Sequence, residues 1–264
     1  MHDLALLTVI ADDVDPAALL DSLERFNTEH LPVVVAGIGA APLVEPRPGV
    51  ELVTSRARSV AEALLGFGAE GTARHWVCVD PRTQFLRPFG SEEFLRDMDT
   101  SYVFATEDRP ADAGTDEVQR TLGTSLHPCR RSGPGLVMSA SIVDRWRSEC
   151  LGPRGWSIDD AVTTVPSAGD WYLGWALNHL EDPALVREPA IVSMAACAVS
   201  YDYLGMTLED LSRGYLAVVH DRTSDPVGPG GGSLRQALGR RGLTSVLAAK
   251  GGLAIERRVR GAAR

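Results

Sequence analysis

Two apolar runs, Leu4–Ile10 and Leu31–Ala36, flank a segment with helical spacing, and this pattern constrains the fold more than any other feature of the chain. Each run is continuous rather than alternating, so both of its faces expect burial. Between them, Pro16 suits the first turn of a helix with Asp15 as its cap. Leu19, Leu20, Leu23 and Phe26 then recur on one face of Ala17–Phe26. Parallel neighbours cannot be joined by a tight turn; they need a crossover, and a helix of this length supplies one. Strand, helix and strand in immediate succession predict a βαβ unit and a parallel sheet.

The pattern continues along the chain. Glu51–Val53 reads as a short third strand, Ser59–Gly66 as a helix and Trp76–Val79 as a buried strand. Glu92–Asp97 predicts a short helix, and Ser101–Ala105 and Gly133–Met138 predict strands. Ser139–Cys150 and Trp171–Leu180 predict helices, and Ala190–Val199 and Leu216–His220 predict the last strands. Arg109–Ser132 has no periodicity, and Ile158–Val165 fits neither template. The expected fold is α/β: a single mixed, mostly parallel central sheet flanked by helices. Residues 1–227 would form the domain, Gly228–Gly232 a flexible linker, and the remainder a basic helical tail to residue 264.

Charge narrows the function classes. The chain carries a formal net charge of −9, yet Leu234–Arg264 alone holds eight Lys/Arg residues and one acid, Glu256. That segment is +7 and leaves −16 for the rest. An acidic body argues against a broad nucleic-acid surface, because such binding draws on phosphate neutralisation. The basic tail suits peripheral contact with an anionic membrane, an acidic partner, or the acidic body itself. The cysteines Cys78, Cys129, Cys150 and Cys197 form no CxxC pair, and Cys78 and Cys197 lie in apolar runs as expected of buried thiols. MHDLALLTVIADD lacks the basic region of a signal peptide, and no apolar run approaches the ~20 residues of a membrane span. A cytoplasmic protein, possessing at most a membrane-peripheral tail, is expected.

Several glycine-rich stretches are excluded as nucleotide loops. Gly37–Ala40 lacks the third glycine of a dinucleotide fingerprint and is followed by prolines; Gly228–Gly232 lacks the Gly-Lys-Ser/Thr of a phosphate loop. GxSxG and HExxH are absent, which lowers the hydrolase and metalloprotease readings.

The chemistry concentrates in RHWVCVDPRTQFLRPF, Arg74–Phe89. An apolar strand delivers Asp80 to the carboxyl edge of the sheet, Pro81 ends the strand, and a second apolar patch follows. This stretch resembles the metal-site strand of nucleotide-sugar glycosyltransferases of the GT-A type. In those enzymes the strand ends in Asp-x-Asp and runs into a Thr-x-Phe-x-Arg-Pro-Phe tail. Here Asp80 and the tail are kept, and Arg82 stands at the place of the second Asp.

The resemblance implies a sugar transferred from a nucleoside diphosphate, UDP or GDP, to a hydroxyl acceptor. It implies Asp80 as a ligand of Mn²⁺ or Mg²⁺, which accept carboxylate and phosphate oxygens. His220, in GYLAVVHDR, matches the late histidine ligand of many such enzymes, with Asp221 beside it as a substitute. Asp170 would be the base that deprotonates the acceptor, with Asp159 and Asp160 as rivals. Asp12 (with Asp13) would meet base and ribose, and Arg56 and Arg58 the diphosphate. Gly133 and Gly135 would let backbone approach the donor sugar, and Trp171 would stack on it.

Each assignment has a plainer counterpart in turn chemistry, helix capping or core packing. Arg82 leaves three arrangements open: one carboxylate plus His220 around a dication, a metal-free site whose arginines carry the charge, or an inactive site. Two further functions stay in view: a non-catalytic binding or assembly protein of GT-A type, and a nucleotidyltransferase. The last expects a basic Gly-rich loop after the first strand, where this chain has ADDVDP.

Overall fold

The computed structural model describes residues 2–11, 14–39, 44–105, 113–123, 135–180, 182–193 and 207–220. Asp12, Asp13, Cys129, Gly133, Cys197, Asp221, the glycine-rich linker and the basic tail lie outside the described residues.

The expected crossover opens the fold. Strand β1 (His2–Ile10) leads into helix α1 (Ala17–Phe26), where Pro16 rather than the expected Asp15 is the cap residue and Asp15 Oδ1 accepts the Ala17 N–H at 2.9 Å. Strands β2 (Val33–Ile38) and β3 (Val50–Ser55) follow. Next come helix α2 (Val60–Glu70), capped by Ser59, and strand β4 (Ala73–Val79). With β9 (Gly135–Ser139) they form a five-stranded sheet in the order β3-β2-β1-β4-β9. All neighbours run parallel except β9, which is antiparallel to β4.

This mixed α/β fold with a mostly parallel central sheet is the expected one; β1, β2, β4 and β9 are largely apolar because their faces are covered, whereas edge strand β3 has no buried residue. Ala5, Leu7, Val9, Trp76, Cys78, Leu136 and Met138 face one core with Trp146, Trp171 and Tyr172. Leu4, Leu6, Ile10, Val77, Val79 and Val137 face the other, against Leu19, Leu20 and Leu23 of α1. Each fully buried side chain of Leu or Phe size stabilises the fold by about 1.5–3 kcal/mol.

The first core is closed by α2 together with α3 (Ala113–Leu122), α4 (Ala140–Arg145), α5 (Ile158–Thr164) and α6 (Ala168–Asn178). Several local expectations are corrected here. Helix α3 lies in the segment expected to be irregular. Its anchors are sparse, with Val118 and Leu122 fitting against Gly174 of α6, where an added Cβ would stand 2.9 Å from Val118 Cγ1. Ile158–Val165 forms α5 because Ser157 and Asp160 make a reciprocal capping box. The helix expected over Ser139–Cys150 loosens into a π-helical turn at Trp146–Leu151.

Glu92–Asp97 is also not a helix. After a single 3₁₀ turn at Ser91–Glu93, β6 (Leu95–Asp97) pairs with β7 (Thr100–Ser101) as a hairpin. Phe94 is buried edge-on against Phe89, ring centroids 5.9 Å apart, which fixes the entry to that hairpin.

The second core is closed at the carboxyl end of β4 by a small sheet. Strand β5 (Thr83–Phe85) pairs antiparallel with β12 (Ala217–Val219), which pairs parallel with β11 (Ile191–Ser193). The expected strand at Ala190–Val199 is borne out over Ile191–Ser193, and its remainder lies outside the described residues. Elsewhere β8 (Val103–Phe104) pairs with β10 (Val186–Arg187), and α7 (Leu208–Ser212) carries its own capping box, Thr207 with Asp210. No helix among the described residues is long and apolar enough to cross a membrane.

Candidate functional site at the carboxyl end of strand β4

The site begins as a turn. The Asp80 carbonyl accepts the Thr83 N–H at 2.9 Å, and Asp80 Oδ1 accepts the Arg82 N–H at 2.9 Å. Asp at the first position and Pro at the second are the residues this turn favours, because Pro81 presets φ and the carboxylate caps the backbone two residues on. Thr83 is fully buried, and Phe85 N–H bonds to Ser22 Oγ of α1 at 3.0 Å. Phe85 stacks on Phe89 at 4.3 Å, and Phe89 exchanges backbone bonds with Phe26 and Thr28. The TQFLRPF tail is therefore a packing device that fixes the turn against α1. Its Arg87 pairs with Glu93 at 2.6 Å.

Arg82 closes back on Asp80. Nε donates to Oδ1 at 2.8 Å and Nη2 to Oδ2 at 2.7 Å, a bidentate pair with both side chains just over a quarter exposed. Such fork-to-carboxylate pairs are short, planar and stronger than neutral hydrogen bonds.

Strand β12 returns to this turn. Its register places Val219 opposite Thr83 and Val218 opposite Gln84, and the His220 N–H continues the ladder to the Arg82 carbonyl at 3.1 Å. The imidazole then meets Gln84: His220 Nε2 lies 2.9 Å from Gln84 Oε1. A carbonyl oxygen only accepts, so Nε2 carries the proton in this arrangement. Arg82 lies in the turn, and Gln84, the middle residue of β5, carries the side chain that meets His220 across the pair. Gln84 was not among the expected residues; its place opposite Val218 in the β5–β12 pair brings it there, and neither short run alone reveals that pairing.

These residues do not fit a dication as they stand. Both Asp80 oxygens are engaged by Arg82, and His220 Nε2 is taken up by Gln84 Oε1. A dication on Asp80 would also face the guanidinium. Two like unit charges 4 Å apart repel by about 4 kcal/mol at an effective dielectric of 20, and a dication doubles that. Among the described residues no group of three or more His, Cys, Asp and Glu side chains is arranged to hold a metal ion.

The other expected residues fall elsewhere. Arg56 and Arg58 follow β3 on the same edge of the sheet and are exposed; Arg58 Nη1 pairs with Asp159 Oδ2 at 3.0 Å. Asp160 is used by its capping box, and the Ser157 backbone and side-chain bonds hold its carboxyl below the usual range. Asp170 sits on the first turn of α6, its N–H bonded to Ser167 Oγ at 3.2 Å. That helix is anchored by Tyr172, whose hydroxyl accepts the Ser139 N–H at 2.9 Å. Ser139 is paired with His75, toward the start of β4. The anchor is thus about 13 Å of strand from Val79, the last residue of β4 before Asp80.

Two donor-sugar candidates take core roles instead. Trp171 is fully buried, and its indole N–H is shared between the Ala161 and Val165 carbonyls at 3.1 Å each. It has no ring face open to a sugar. Gly135 pairs with Val79 inside the sheet, and an added Cβ there would stand 2.5 Å from Ile191 Cδ1. Close packing with β11 explains this glycine. No protein-family model matches the chain, and no curated protein matches it.

Proposed function

We propose that the protein is a GT-A-type glycosyltransferase that binds a nucleoside-diphosphate sugar at the carboxyl end of β4 and transfers the sugar to a hydroxyl acceptor. The observation that carries the proposal is the return of β12 to the Asp80 turn. It brings His220 onto the same short ladder as Arg82 and Gln84, beside the edge where open α/β sheets take their ligands. Arginine and glutamine are N–H donors suited to diphosphate oxygens, and the leaving diphosphate is the group whose charge grows as the glycosidic bond breaks.

Thermal shift against a panel of UDP- and GDP-sugars tests the binding step, and release of UDP or GDP tests transfer. Stabilisation by at least one sugar nucleotide, with slow release of its diphosphate, is expected. No stabilisation by any of them would contradict the proposal. Asp170→Asn then tests the expected base: turnover that survives this change removes Asp170 from the role.

The non-catalytic alternative draws on the same Asp80–Arg82 pair, since a carboxylate bound to its own arginine is poorly placed for metal-dependent chemistry. Tight nucleotide binding with no diphosphate release from any donor would favour it.

A further inference from the structure

Resting on that assignment of the site, we propose that it holds the nucleoside diphosphate without a divalent cation. Arg82 supplies the positive charge, and Asp80 is a positioning residue for its guanidinium. Three features point this way. The Arg82 backbone is pinned from both sides, by the N–H to Asp80 Oδ1 at 2.9 Å and by the carbonyl to the His220 N–H at 3.1 Å. Its side chain is then oriented by the bidentate pair at 2.8 and 2.7 Å. The cation that a diphosphate needs is thus part of the fold, held in one geometry before the ligand arrives, which lowers the ordering cost of binding.

The second feature is the chemistry of the donors. A guanidinium carries five N–H donors in a planar fork, and Asp80 engages it at Nε and Nη2, which sets the plane and direction of the fork. Gln84 meanwhile engages His220 Nε2 at 2.9 Å, which takes that nitrogen out of the set a metal could use. Third, the pair is only about a quarter exposed, so charge at Arg82 is screened less by water than it would be on an open surface.

A metal ligand and a positioning carboxylate respond differently to Asp80→Asn. Removing a ligand abolishes metal-dependent binding. Removing half of a positioning pair leaves Oδ1 to accept from Arg82, loosens the guanidinium and creates no need for a metal.

Calorimetric titration of the full chain with UDP and with GDP, in EDTA and in Mn²⁺, separates the two. We expect one nucleotide to bind in EDTA, with Mn²⁺ changing Kd by less than about threefold. Arg82→Gln should weaken binding at least about tenfold in both buffers, and Asp80→Asn, which breaks one arm of the pair, should weaken it less than that in EDTA and leave it independent of Mn²⁺. Should Arg82→Gln fail to fold, Arg82→Lys keeps the charge without the fork and should weaken binding in EDTA at least about threefold; unchanged affinity would count against the proposal. Binding that requires Mn²⁺ and disappears in Asp80→Asn would overturn it while leaving the nucleotide-binding site intact. Failure of both nucleotides to bind in either buffer would instead remove the nucleotide assignment and this proposal with it.

Discussion

His75 lies two residues into β4, fully buried between Leu4 of β1 and Ser139 of β9. Burial lowers its pKa from the ordinary 6.5, against the opposing pull of the Met98 backbone and of Asp3 and Asp99, while Arg74 adds to the lowering. The folded state therefore holds a neutral imidazole where the unfolded chain would already bind a proton. Its contribution is fully present above about pH 7 and is lost as pH falls through 6.5, by at most about 1.4 kcal/mol per pH unit. Urea midpoints measured between pH 5 and 8 should decline on the acid side, and His75→Phe should flatten that decline. An equal acid slope in the variant would place its origin at other groups. Asp80, Arg82 and Trp171 show why single residues were only half legible in the sequence. Asp80 was placed at the right edge by its apolar strand and Pro81. That its carboxylate closes onto Arg82 follows from turn geometry, which residue types permit but do not dictate. Trp171 has the composition of a sugar-stacking residue, and only the packing of α5 against α6 reveals it as core.

Elements were legible where burial is two-sided or periodic, and obscure where a few tertiary contacts decide. β1, α1 and β2 follow directly from continuous apolar runs around a capped amphipathic segment. Helix α3 escaped because Val118 and Leu122 are its chief apolar anchors and the shelf they need, Gly174, is supplied by a helix about fifty residues later. The β6–β7 hairpin was misread because Phe94 and Leu95 suit either periodicity, and burial of Phe94 against Phe89 chooses the strand.

The α5–α6 corner yields a test at this scale. Trp171→Phe keeps most of the apolar volume and removes the N–H shared by the Ala161 and Val165 carbonyls. A loss of about 1–3 kcal/mol in unfolding free energy is expected. Nucleotide affinity should be unchanged, and weakened binding at full structural integrity would return the indole to the donor site. In the same corner, Ser157→Ala removes one half of the α5 capping box and should cost about 1 kcal/mol.

On the scale of the whole molecule, the two cores and the central sheet are what sequence periodicity specifies most strongly, because β1, β4 and β9 bury residues on both faces. The small sheet that completes the site is different. β5 and β12 have three residues each and are brought together across more than 130 positions of chain, so neither run alone reveals the pairing. Charge is distributed just as unevenly, with the +7 of Leu234–Arg264 against the −16 of the remainder. If that segment serves an anionic membrane, vesicles containing phosphatidylserine should sediment the full chain at low salt. A chain ending at residue 227 should stay in the supernatant, and equal sedimentation of both would count against this role of the tail.

The central claim is that a nucleoside diphosphate binds where the Asp80 turn meets β12. Hydrogen exchange of the full chain with and without saturating UDP or GDP tests it most directly. Slowed exchange is predicted at residues 79–84 and 217–220 together. Protection confined to other segments, with these two unchanged, would contradict it.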